Sequence, residues 1–283
     1  MSAISVIGLG SMGTALAKAM LGGAPKVTVW NRSAAKMLPP VKAGAQAAPS
    51  LAAAVQASPI ILVCIDNYAT TKQIMGEPGV IPLLSGKTLI QLSTGTPKEA
   101  RESQAWFKLH GAEYLDGAIM EYPNGIGTPT TKILFAGPEA TFKHCATILR
   151  PLGGNLKYVG PNIGAAAALD LALLSKQIAL AFGVIHGALI CKSELVEIDV
   201  FGTELIGGDA KAIAQIIHTN DYSSPGATLG VWSQALQRIQ TQARDANINS
   251  DIPDFFASVF KRAITLGFEQ ENKAAIFKAL HCP

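Results

Sequence analysis

Residues Gly164 to Ser175 read Gly-Ala-Ala-Ala-Ala-Leu-Asp-Leu-Ala-Leu-Leu-Ser, so Asp170 is a lone acid in an otherwise apolar helical run. A carboxylate in such surroundings is costly unless a cation or hydrogen-bond donors meet it. At 100° per residue, Leu174, Gln177 and Ala181 lie within about 40° of Asp170, with Ile178 at the edge of the same face. That face is an apolar wall carrying one acid and one amide. Asp170 lies about seven residues into the helix, beyond the first turn where a helix N-terminus favours an acid. It is therefore a functional candidate. Ionised, it would stabilise a cation; kept protonated by burial, it would donate a proton.

A second constellation sits at the N-terminus. The apolar run Ala3 to Ile7 reads as a buried parallel strand, and Gly8-Leu9-Gly10-Ser11-Met12-Gly13 follows it directly. Helix formers then continue from Thr14 to Leu21. This strand, glycine-rich turn and helix form a dinucleotide fingerprint. Gly8 allows the tight turn, Gly10 lets a pyrophosphate approach, and Gly13 lets helix and strand pack closely. Ser11 and Met12 complete the turn. The next strand, Lys26 to Trp30, ends in Asn31-Arg32-Ser33, with Lys36 one turn further on. An acid at this place would hold a ribose 2′-hydroxyl. An amide, a guanidinium, a hydroxyl and an amine suit a 2′-phosphate instead, so the expected cofactor is NADPH rather than NADH.

The elements that must position these groups follow in rhythm. Strands are expected at Ile60–Ile65, Thr88–Leu92 and Glu113–Leu115, the first of them separated by helical or irregular segments, which implies a doubly wound, mostly parallel sheet. Ligands bind beyond the C-terminal strand ends of such sheets, which puts Cys64, Ile65, Ser93 and Thr94 on the cofactor's path. Thr96-Pro97-Lys98-Glu99 reads as a helix start with a capping box.

From Ile163 to about Lys192 the chain reads as one helix, roughly 45 Å long at 1.5 Å per residue. Helical spacing recurs at Asp209–His218, Leu229–Asn247, Phe255–Leu266 and Asn272–Leu280, with almost no strand pattern. The expected organisation is α/β: a Rossmann domain over 1–161, an interdomain helix over 162–192, and an all-α C-terminal domain over 193–283 for dimerisation and substrate binding. So small a helical domain would have little core by itself, which favours burial against a second subunit.

Composition narrows the function classes. The chain has 283 residues, 49% hydrophobic and 15% charged, with a net charge of +3. A sizeable core is assured, and no basic tract recommends a nucleic-acid partner. Cys64, Cys145, Cys191 and Cys282 are scattered without metal-ligand spacing, as are the 5 histidines, so reduced thiols and no metal site are expected. The N-terminus lacks the pattern of a signal peptide. Ile163 to Cys191 is apolar enough to raise a membrane span. Asp170, Lys176 and Gln177 inside it argue for a helix of a soluble, cytoplasmic protein.

These motifs resemble the imine reductase and reductive aminase family, relatives of the β-hydroxyacid dehydrogenases. The resemblance covers nearly the whole chain. It rests on Gly-Leu-Gly-Ser-Met-Gly at 8–13, Val-Trp-Asn-Arg-Ser at 29–33, Leu-Ser-Thr-Gly-Thr-Pro at 92–97 and Ala-Leu-Asp-Leu-Ala-Leu-Leu-Ser at 168–175. The β-hydroxyacid branch carries GxGxxxKxxN near the last motif. With its first glycine on Gly164, its lysine falls on Asp170 and its asparagine on Leu173. Lys176 does not restore the pattern, because it faces about 120° away.

The resemblance implies an NADPH-binding Rossmann domain and a homodimer with interlocked helical domains and active sites between subunits. Met120 and Pro123 match a loop near the nicotinamide. Leu174, Gln177 and Ile178, on the helix face of the acid, complete the expected pocket. Val231, Trp232 and Leu236 match positions lining the pocket from the partner. Two positions depart from the reductive-aminase pattern: Thr94 replaces an asparagine, and Ile178 a tyrosine. Both changes remove hydrogen-bonding capacity, which weighs against carbonyl–amine coupling more than against imine reduction.

The expected reaction is hydride transfer from NADPH to the carbon of a hydrophobic, cyclic C=N bond, with Asp170 the only strongly ionisable group at the chemistry. One rival is a β-hydroxyacid dehydrogenase-like oxidoreductase, disfavoured because Asp170 would repel a carboxylate. The other is a catalytically silent NADPH-binding protein.

Overall fold

The computed structural model describes residues 3–24, 26–223 and 226–281; Cys282 lies outside the described residues. The chain divides into two compact units, Met1–Asp170 and Leu171–Pro283.

The first unit is built on strands β1 (Ile4–Ile7), β2 (Val27–Trp30), β3 (Gln46–Ala47), β4 (Ile60–Val63), β5 (Thr88–Gln91), β6 (Glu113–Ile119), β7 (Lys132–Ala136) and β8 (Asn155–Tyr158). Its helices are α1 (Ser11–Leu21), α2 (Leu38–Lys42), α3 (Leu51–Ala57), α4 (Tyr68–Met75), α5 (Pro97–Leu109) and α6 (Glu139–Leu149). The strands form a sheet in the order β3-β2-β1-β4-β5-β6-β7-β8. All neighbours are parallel except β6 and β7. β6 runs on to Ile119, past the expected Leu115, and β3, β7 and β8 were not legible beforehand. For β3 and β8 the reason is their place at the two edges. β3 has two residues and both are exposed, while β8 carries no fully buried residue.

Strands buried on both faces need apolar side chains on both. Ile4 and Val6 face one core layer with Leu16 and Met20 of α1, while Ile7 faces the other with Leu51 and Val55 of α3. Ser5, fully buried on that second face, donates its hydroxyl to the Ala54 carbonyl (2.6 Å) and lies in hydrogen-bond contact with Ser58 Oγ (2.9 Å). Strand order reverses between β1 and β4, so the loops leaving their C-terminal ends diverge and open a crevice.

α7 (Ala165–Ser193) begins in the first unit and continues into the second. The second unit adds α8 (Ile198–Val200), a π-helical turn (Phe201–Leu205), α9 (Gly208–Thr219), α10 (Leu229–Asp245), α11 (Asp251–Thr265) and α12 (Ile276–His281). The turn at Ile198–Leu205 was not anticipated, and α11 begins at Asp251 rather than Phe255 because Pro253 is accommodated within its first turn. The core of this unit gathers Ile178, Ile185, Ile213, Trp232, Leu236 and Phe260, with Phe182 stacked on Phe256 at 4.5 Å.

Candidate active site

The crevice at the strand-order reversal holds a groove of about 450 Å³. Its lining includes Gly8, Gly10, Ser11, Met12, Gly13, Asn31, Arg32, Ser33, Lys36, Cys64 and Ile65, so the structure brings these candidates into one place. The three glycines differ in what surrounds them. Gly8 has φ +92°, and a side chain there would meet the Cys64 carbonyl oxygen at 2.3 Å. A Cβ on Gly13 would lie 1.9 Å from the Gly8 carbonyl oxygen. Gly10, by contrast, faces open space, with nothing within 4 Å of a Cβ built there. Gly8 and Gly13 thus permit backbone packing, and Gly10 keeps clear the approach to the N-terminus of α1.

Gly10 caps that helix without a side-chain bond, and no acid lies in its first turn. The first N–H groups of α1 therefore face the groove with a positive dipole end, a fit for a dinucleotide's phosphates. Asn31 plays a structural part that its sequence position did not reveal. Its Oδ1 accepts from the Leu9 N–H (2.9 Å) and its Nδ2 donates to the Ser33 carbonyl (3.1 Å), pinning the glycine turn to the end of β2. Arg32, Ser33 and Lys36 are exposed at the groove's edge, where they can reach a further phosphate. Among the described residues, no group of three His, Cys, Asp or Glu side chains is placed to hold a metal.

Ser93 and Thr94 do not line the groove; they follow β5 alongside it. Ser93 Oγ accepts from the Ile65 N–H at 3.0 Å and so couples the loops after β4 and β5. Cys64 is surrounded closely enough that its thiol is pushed up to about 12 by desolvation, which keeps it a protonated packing group. The capping box after β5 is present: the Thr96 hydroxyl accepts from the Glu99 N–H and the Glu99 carboxylate accepts from the Thr96 N–H. It fixes the start of α5 against which α7 begins. A Cβ on Gly164 would lie 2.9 Å from Pro97 Cβ and 3.1 Å from an Arg101 guanidinium nitrogen, so only glycine lets the two helices approach. Six residues later α7 presents Asp170, half-buried.

A second acid lies within electrostatic reach of Asp170. Asp116, fully buried on β6, carries a carboxyl pushed up to about 8. Desolvation is the largest cause, and the charges of Asp170 and Glu99 add to it; hydrogen bonds from Tyr68 and Tyr114 pull the other way. Asp116, like Asp170, is an acid inside an apolar run, Tyr114–Ile119, but it lies one residue beyond the strand end expected at Leu115.

The remaining pocket candidates are spread over both units. Met120 follows β6 and packs with Ala118, Leu134 and Ala166 in a small cluster. Pro123 lines a second concavity, of about 780 Å³, which shares Ser11 with the groove. Leu174, Gln177 and Ile178 continue along α7 in the second unit; the first two are half-buried and Ile178 is in that unit's core. On α10, Trp232 and Leu236 are also in that core, with the Lys273 ammonium 4.1 Å from the Trp232 ring centre, while Val231 is exposed.

Residues 3–160 match the family model for the NAD binding domain of 6-phosphogluconate dehydrogenase. Residues 162–281 match that for the C-terminal domain of NADPH-dependent reductive aminase-like proteins. The NADPH-dependent reductive aminase of Aspergillus oryzae is 30% identical over 97% of this chain and 96% of its own. An imine reductase from Myxococcus stipitatus, solved in complex with NADP+, is 34% identical, covers 98% of this chain and 99% of its own, and superposes with a TM-score of 0.66. The 3-hydroxyisobutyrate dehydrogenase of Mycobacterium tuberculosis, at 16% identity, 100% coverage of both chains and a TM-score of 0.88, shares the fold alone. With the glycine groove, the acid on α7 and both halves matched, the chain belongs to the imine reductase and reductive aminase family of NADPH-dependent oxidoreductases.

Proposed function

We propose that this protein reduces the C=N bond of a hydrophobic, cyclic imine or iminium with NADPH. The observation that carries this is Asp170, an acid on an apolar helix face at the position where the β-hydroxyacid branch has its lysine. NADPH supplies a hydride. The chain's own residues do the rest. The α1 N-terminus and Gly10 receive the phosphates, and Arg32, Ser33 and Lys36 select the 2′-phosphate. Asn31 holds the glycine turn in register. Asp170 carries a negative charge that attracts and orients a cationic C=N group, and the apolar surroundings strengthen that attraction. Leu174, half-buried, offers the substrate's hydrocarbon surface an apolar wall, with Ile178 packed in the core behind it. Thr94 and Ile178 supply fewer hydrogen bonds than the asparagine and tyrosine of the reductive-aminase pattern, so preformed imines are the better substrates and amine–ketone coupling is slow.

The test mixes purified protein and NADPH with 1-pyrroline or 3,4-dihydroisoquinoline and follows loss of the reduced cofactor's absorbance. Oxidation of NADPH by an imine, with no reduction of NADP+ by 3-hydroxyisobutyrate, is the expected result. The reverse pattern overturns the proposal, and silence with both favours a binding protein.

A homodimer formed through the helical unit belongs to the same proposal. Among the described residues α7 is long and apolar enough to cross a membrane by length and composition alone, yet only 28% of its most apolar window is buried within the chain. Leu195, Leu205, Val231, Ile252 and Phe255 of the same unit are also exposed. A second copy would cover such a surface. Sedimentation equilibrium is expected to give twice the mass of 29.5 kDa; a monomer would refute this part.

A further inference from the structure

The buried acid Asp116 has no part in the mechanism above. It lies on β6 in register with Gln91 of β5 and is 0% exposed. Its Oδ1 accepts from the Tyr68 hydroxyl, at the first turn of α4, and from the Tyr114 hydroxyl at 3.5 Å. Its Oδ2 is buried and has no hydrogen-bond partner among the described residues. The Tyr68 ring in turn supports the loop after β5. A Cβ on Gly95 would lie 2.3 Å from Tyr68 Cε2, so the Gly95 backbone rests directly on the ring. The titratable groups bearing on Asp116 are Tyr68 from α4, Tyr114 from its own strand, Glu99 from α5 and Asp170 from α7, and none of these is a cation.

We propose that Asp116 is a positioning residue for this reaction: through Tyr68 it fixes the Ser93–Thr96 loop. The inference rests on the imine chemistry proposed above. A buried carboxylate with one unpartnered oxygen and a second acid within electrostatic reach is costly; the neutral acid costs less. The proton on Asp116 spares this part of the sheet a buried charge, and the neutral acid accepts from Tyr68 without disturbing the loop that rests on its ring. Tyr68 and Tyr114, both raised well above the ordinary tyrosine range by burial, remain protonated and keep donating. As pH rises through about 8, Asp116 becomes a second buried charge. Its unpartnered Oδ2 then has to draw in water, and the Ser93–Thr96 loop that rests on the Tyr68 ring is displaced as the site opens.

The test uses the full-length protein and N-methyl-3,4-dihydroisoquinolinium, a permanent cation whose charge does not titrate. In the wild type kcat/KM should fall about tenfold between about pH 7 and 9. Asp116→Asn should lower kcat a few-fold but flatten that profile. Tyr68→Phe should lower kcat and move the fall to higher pH, because the lost hydrogen bond had favoured the carboxylate. An independent readout is the infrared carbonyl band of an un-ionised carboxylic acid, expected in the wild type at neutral pH and absent from Asp116→Asn. Lack of that band overturns the proposal whatever the turnover. So does an unchanged pH profile in both variants. If no imine is reduced at all, the proposed function fails, while the band still decides the state of Asp116.

Discussion

Asp170→Ala is expected to lower kcat for a cyclic imine by about 10²–10³-fold, the usual cost of removing one preorganised electrostatic partner of a developing or resident charge. The Kd for NADPH should stay within about twofold, since Asp170 does not line the glycine groove. Asp170→Asn should be nearly as damaging, because it keeps the shape and loses the charge. Steady-state kinetics on both variants, with cofactor binding followed by fluorescence, separates the two effects. Full turnover in Asp170→Asn would show that the charge is not what the site uses. The fold does not make this prediction. The 3-hydroxyisobutyrate dehydrogenase shares the architecture at 16% identity, so the chemistry must be argued from the residue at position 170 rather than from the sheet that carries it.

Arg32→Ala is expected to raise the KM for NADPH by about 10–50-fold and leave that for NADH within about twofold, the mark of a lost charge-assisted contact to a phosphate that only one cofactor carries. Arg32 is exposed at the end of β2, so salt should weaken NADPH binding in the wild type and much less in the variant. Equal losses with both cofactors would mean that Arg32 supports the turn rather than the 2′-phosphate. Asn31 does have such a supporting role, through its bonds to Leu9 and Ser33. Its replacement should therefore harm both cofactors alike.

Much of the site was legible because its signals are local. Residues 8–13 encode a turn whose steric demands concern atoms a few residues away: the Cβ that Gly13 lacks would strike the Gly8 carbonyl. The capping box at Thr96–Glu99 closes within one helical turn. The long helix was readable from an unbroken apolar run, although its exposed share was not. Edge strands β3 and β8 escaped notice because exposed, short strands carry no hydrophobic pattern.

The sequence by itself determined the dinucleotide turn, the basic residues at the edge of the groove and the acid at position 170, since each is a matter of residue type at a fixed offset. Only the tertiary structure decided what surrounds that acid. Tyr68, Glu99, Asp116 and Asp170 come from four different elements, and burial together with the sheet register makes their charges act on one another. A proton affinity is a property of such a neighbourhood, with its desolvation and its opposing hydrogen bonds, and no linear spacing along the chain encodes it.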